Sequence, residues 1–170
     1  MIYQTQVRAG ETHIGSVGGH TIVSIVTPTL SVGATYVAND YVGTDHTPMS
    51  FTLARVNAGS GVIVGATLID YAVASVAAEL WLFSATLDMG HDSDAFSLTD
   101  AQALTCIGVI PFSTYYASAL NSISTGTIPN GGLPFVCGAG VKTIFGCLVT
   151  RGAPAYTNGL VSVRLAALAD

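Results

Sequence analysis

Asp88, Asp92, Asp94 and Asp100 place four of the chain's ten acidic residues within thirteen positions. Clustered carboxylates are what a hard cation such as calcium seeks. The spacing is not that of a calcium loop, because no glycine follows Asp94 and no glutamate closes the run. His91 adds a nitrogen that calcium does not favour. The segment reads as a solvated acidic loop, with Asp88, Asp92 and Asp94 as the carboxylates an ion would use. His13 and His20 stand seven apart in a glycine-rich stretch, but two imidazoles without a third ligand do not make a transition-metal site. Ser60 sits in Gly59-Ser60-Gly61, which is not G-x-S-x-G and follows a strand and turn instead of leading into a helix. None of His13, His20, His46 and His91 has a partner at the spacing of a catalytic motif. Cys106, Cys137 and Cys147 form no C-x-x-C pair and lie in apolar surroundings, as small buried thiols do. The expectation is a protein that is not an enzyme and holds no metal or cofactor.

Side chains that do no chemistry are left to contact. Tyr115 and Tyr116, near Asn121 and Ser122, have the character of a surface that stacks on a sugar or a partner protein. Packing across the mouth of the fold explains them equally well.

The elements that would carry these residues are strands. Runs of β-branched and aromatic residues are bounded by Gly, Pro, Asn and Asp. Strands are expected at 20–27, 35–38, 48–56, 62–71, 79–85, 106–112, 134–137, 142–150 and 160–168. In 79–85 (ELWLFSA), Leu80 and Leu82 alternate with Trp81 and Phe83, so both faces are apolar and the strand is central and covered twice. Trp81, Phe83, Leu68 and Val109 are assigned to the core. Thr99 followed by Gln102 is a capping box opening one short helix. Segment 115–128 reads as irregular, and Asn158-Gly159 as a hairpin turn. The class is all-β, a β-sandwich or jelly roll with one short helix. Residues 1–19 read as an extended N-terminal arm and 20–170 as one sandwich domain.

Composition narrows the class of partner. Five Lys and Arg and ten Asp and Glu make the chain 9% charged and 50% hydrophobic, against about 25% charged in an average domain. Either a membrane or another protein surface must take up so much uncharged area. A spanning helix needs about 20 apolar residues in a row, and every apolar run here is broken sooner. The 14 aromatic residues do not recur at strand ends as a membrane barrel's girdles would. No membrane partner is expected. Nucleic acid is not expected either, since the net charge is −5 and the basic residues stand singly. Met1 to Arg8 has one basic residue and no apolar core behind it, so no secretory leader is expected.

One succession of segments carries a resemblance: Tyr41-Val-Gly43, Pro48-Met-Ser-Phe-Thr-Leu-Ala-Arg55, Gly59-Ser-Gly61-Val-Ile, Leu68-Ile-Asp70, Glu79-Leu-Trp-Leu-Phe83, Asp94-Ala-Phe-Ser-Leu-Thr-Asp100 and Gly108-Val-Ile-Pro-Phe112. In order and spacing, over roughly residues 35–165, it resembles the head decoration, or cement, proteins of tailed bacteriophages. That resemblance implies a many-copy virion protein made in the host bacterial cytoplasm. It would bind the major capsid protein on the capsid exterior and its own copies, most plausibly as a homotrimer, with a dimer as the alternative. The family supplies no catalytic residues. Under this reading Arg8, His13, His20, Tyr36, Tyr41, Tyr115 and Tyr116 are the candidates for contact with the shell or a neighbouring copy. The competing reading is a tail or fibre module that binds carbohydrate through exposed tyrosines.

Overall fold

Alternating apolar residues make one-faced strands, and one-faced strands must close over each other. The computed structural model, which describes residues 20–156 and 160–170, does this with two antiparallel sheets. The strands are β1 (His20–Val26), β2 (Tyr41–Val42), β3 (Met49–Thr52), β4 (Ser60–Asp70), β5 (Ala78–Phe83), β6 (Cys106–Phe112), β7 (Tyr115–Ala117), β8 (Ser122–Thr125), β9 (Leu133–Val136), β10 (Thr143–Thr150) and β11 (Val161–Ala169). The first sheet runs β1-β11-β4-β8-β7, with β9 also on β4. The second runs β2-β10-β5-β6, with β3 also on β10. If β2 with β3, and β8 with β9, each count as one position and β7 is set aside, eight positions remain. They are ordered 1-8-3-6 in one sheet and 2-7-4-5 in the other. That is the strand order of a jelly roll, in which chain halves interleave between the sheets.

The core lies between the sheets. Ile63 and Leu68 of β4, Val163 and Leu165 of β11, Leu80 and Leu82 of β5, and Phe51, Ile110 and Phe112 are fully buried there. The double covering expected of β5 is present. Leu80 and Leu82 face the main core, while Trp81 and Phe83 face outward into a second cluster with Tyr41, Leu87, Met89, Phe96, Leu98 and Cys147. Segment 84–99, which supplies the covering side chains, is therefore a lid on the outer face of the second sheet. The α1 helix (Asp100–Ala103) follows it. Thr99 Oγ1 accepts from the Gln102 N–H, and Gln102 Oε1 accepts from the Thr99 N–H. The capping box is as expected, but it opens a single turn.

Four expectations change. Residues 35–38 form no strand, because Tyr36 turns inward and Asn39 takes a left-handed φ of 76°. Segment 115–128 is not irregular: it contains the β7–β8 hairpin, whose inward positions are Ser122 and Ser124. Polar residues on the inner row hid its alternation. Asn158 and Gly159 lie outside the described residues, but the strands on either side, β10 and β11, pair in different sheets and form no hairpin. Trp81 and Val109 are half-buried on the outer face of the second sheet, while Leu68 and Phe83 are fully buried. Replacing Phe51 with Ala should cost about 3 to 5 kcal/mol. Trp81→Ala should cost less, because its indole keeps partial contact with water. Urea unfolding of the two variants checks the order.

Candidate interaction surface

Asp92, read from the sequence as part of a solvated loop, is buried at 4% exposure. Its carboxylate accepts from the Tyr36 hydroxyl at 2.8 and 2.9 Å, from the Ser31 N–H at 2.8 Å and from the Gly43 N–H at 3.1 Å. Burial, reinforced by the Asp92 hydrogen bond, pushes the Tyr36 phenol far above its ordinary range, so it remains a donor. Three donors, one O–H shared between both oxygens and two N–H groups, answer most of the acceptor capacity of one carboxylate. They tie the lid to the loops around residues 31–36 and 43. Tyr41 is buried too, its hydroxyl donating to the Thr44 and Thr47 carbonyls. Desolvation, then the neighbouring Cys147, raises its phenol as well. Tyr36 and Tyr41 were candidates for partner contact, and both are committed to the interior.

The solvent side of the lid carries the other acids. His46 Nδ1 pairs with Asp88 at 2.8 Å, His91 Nδ1 lies 3.4 Å from Asp45, and the two rings meet edge-on at 4.5 Å. Hydrogen bonds from the Gly90 N–H and then His46 hold Asp88 below the usual carboxylate range. The Asp92 N–H and then His91 do the same for Asp45. Asp94 is exposed and accepts from the His91 N–H. Asp88, Asp92 and Asp94 thus point to different tasks, and among the described residues no three His, Cys, Asp or Glu side chains converge to hold a metal ion.

Of the remaining contact candidates, Arg8 and His13 lie outside the described residues. His20 is exposed at the start of β1. Tyr115 is half-buried and donates to the Val76 carbonyl, while Tyr116 is 72% exposed. The adjacent tyrosines therefore do not form one stacking platform. The cysteines are free, with Cys137 and Cys147 buried. Burial raises all three thiols, Cys147 to about 12, and leaves them poor nucleophiles. The Ser60 hydroxyl donates to the Asp170 carboxylate. No helix among the described residues is long and apolar enough to cross a membrane.

The surface that sequence reasoning missed is the outer face of the first sheet. Register aligns Val23 with Ala166, Leu168 with Val62, Val62 with Pro134, Ile69 with Ile123, and Ile123 with Tyr116. The inward rows of β11, β4, β8 and β9 are buried, so these residues form the outward rows. Val23, Ile25, Val64, Ile123, Val136 and Leu168 are each at least 40% exposed. Val64 stands at the bulge, where the β4–β11 register shifts. Within the strands Arg164 is the single formal charge on these outward rows among the described residues, and Asp170, just past β11, meets Ser60 at their end. A contiguous apolar sheet face of this kind marks a protein contact more often than bare solvent surface. The signal was available as two-sided apolarity in LVSVRLAAL and VIVGATLI, but both faces of a strand look alike until its neighbours are known.

Compared with known proteins, the chain matches no family model, no curated protein and no solved structure.

Replacing Asp92 with Ala strands the Tyr36, Ser31 and Gly43 donors in the interior. It should cost about 3 to 5 kcal/mol in urea unfolding, and it should raise binding of a hydrophobic dye as the lid loosens; an unchanged midpoint would show that the carboxylate anchors nothing. Asp45 and Asp88 titrate lower in the folded chain than their ordinary 3.8. Their hold on the lid is complete above pH 3.8 and fades as pH falls through the lower, folded values. Trp81 fluorescence should report lid loosening as pH falls below 3.8, whereas a D45N/D88N variant, lacking both carboxylates, should show the loosened signal already at neutral pH and lose that transition.

Proposed function

We propose that this chain is a virion structural protein that decorates and stabilises the outside of a bacteriophage capsid, binding the major capsid protein lattice and its own copies. The observation that carries the reading is the asymmetry between the two outer faces. The second sheet is covered by its own lid, whereas the first leaves a wide, nearly charge-free face open to a partner. Interface cores are depleted in charge in the same way. The resemblance of the segments between residues 35 and 165 to cement proteins adds the identity of the partner. The jelly roll is an architecture used in viral shells, which is an analogy of fold and no more.

Modest contacts suffice for such a role. A shell presents the same site many times, and an oligomer that engages several sites at once multiplies weak contacts into durable attachment. A closed, symmetric oligomer suits symmetric sites. The carbohydrate-binding alternative is served less well, since only one ring of the Tyr115–Tyr116 pair faces solvent.

Quantitative mass spectrometry of purified heads should find the protein in fixed, high stoichiometry to the major capsid protein. A handful of copies per particle would refute the decoration role. Leu168→Lys, on the open face at 42% exposure, should weaken attachment at least tenfold, about 1.4 kcal/mol. It should leave the unfolding midpoint nearly unchanged.

A further inference from the structure

A sandwich has four lateral edges, and an unprotected edge strand is a template for another strand. Three edges here carry a protective feature. On the first sheet, β7 is three residues long and β9 is four with Pro134 in it. On the second, β2 and β3 have two and four residues. The opposite edge, β6, is seven residues long, but it contains Pro111, which has no N–H to offer. Its register also shifts between its Gly108 and Cys106 pairings, where Gly108 takes a φ of 159°.

β1 has none of these features. Its seven residues, HTIVSIV, include no Pro, Gly, Lys, Arg, Asp or Glu. It pairs with β11 along its whole length, from His20 with Ala169 to Val26 with Val163. On its other side it has no strand partner among the described residues. Its outward row, Thr21, Val23 and Ile25, is uncharged and open, with Val23 at 44% and Ile25 at 59% exposure.

We propose that β1 pairs antiparallel with β1 of a second copy, about a two-fold axis at Val23, joining the first sheets of two chains into one. The one symmetric register that uses all seven residues sets Val23 against Val23, Thr21 against Ile25, Ile22 against Ser24 and His20 against Val26. No formal charge meets another. The outward pairs are β-branched on β-branched, a favourable cross-strand combination. The row of backbone groups left without a strand partner among the described residues calls for a strand, and this sequence complements itself. An isologous contact closes at two. The pairing would also make the open apolar face continuous across both copies. It does not depend on the capsid reading and stands or falls separately.

Sedimentation velocity of the full chain tests it. The wild type should run as a dimer. Val23→Lys and Val23→Glu should each run as a monomer, because like charges then oppose each other at the axis. An equal mixture of the two should regain the dimer. Val64→Lys, which puts the same charge on the same face but at the bulge of β4, should remain dimeric. In case the Val23 variants do not fold, hydrogen exchange on the wild type gives an independent reading: β1 amides facing away from β11 should be protected, more so at higher protein concentration. A monomer at every concentration overturns the proposal, as it would if residues 1–19 of the same chain occupied the edge. A trimer, or a dimer broken by Val64→Lys and not by Val23→Lys, overturns it too.

Discussion

The buried carboxylate of Asp92 is the constraint on which the two unlike faces of this sandwich depend. A carboxylate at 4% exposure is costly unless its acceptor sites are filled. Here one phenol and two backbone N–H groups fill them. The donors come from two loops, Ser31 and Tyr36 from one and Gly43 from the other, so one side chain fixes the lid against both. With the lid in place, Leu87, Met89, Phe96 and Leu98 cover Trp81, Phe83 and Cys147. Without it, both sheets would expose an apolar exterior.

Two other buried acids do similar work. Asp70 accepts from the Ala72 and Ser75 N–H groups and the Ser122 hydroxyl, and Asp40 accepts from the Val37 N–H. Three of the ten acids are thus spent on holding loops instead of solvating the surface. Glu79 is tied to Arg151 and to the Trp81 N–H, which hold its carboxyl below its ordinary value. The surface is poorer in charge than the sequence alone suggests, and poorest on the outer face of the first sheet. The scarcity of charge is therefore local, concentrated where a protein partner would sit.

The fold class was legible because alternation, turn residues and a capping box are local signals. β5 shows it best: two apolar rows in ELWLFSA announced a strand covered on both sides, and both coverings are there. The site was less legible because its properties are relational. Asp92 looks like any loop aspartate until the fold places Tyr36 and the Ser31 and Gly43 N–H groups around it. Tyr36 and Tyr41 look like contact tyrosines until their hydroxyls find partners inside. The β7–β8 hairpin was hidden because Ser122 and Ser124 take the inward row, where Asp70 and Ser75 satisfy Ser122. The open face depends on which strands neighbour β4 and β11, which no single strand's sequence states.

The outer face of the first sheet is the surface proposed to meet another protein. Hydroxyl-radical footprinting of the chain, free and mixed with the phage heads it is proposed to decorate, measures this side chain by side chain. Val64, Ile69, Ile123 and Leu168 should be strongly protected on the heads, with Met89 and Trp81 beneath the lid unchanged. Unchanged labelling across the first sheet, with protection confined to the lid and its loops, would contradict it.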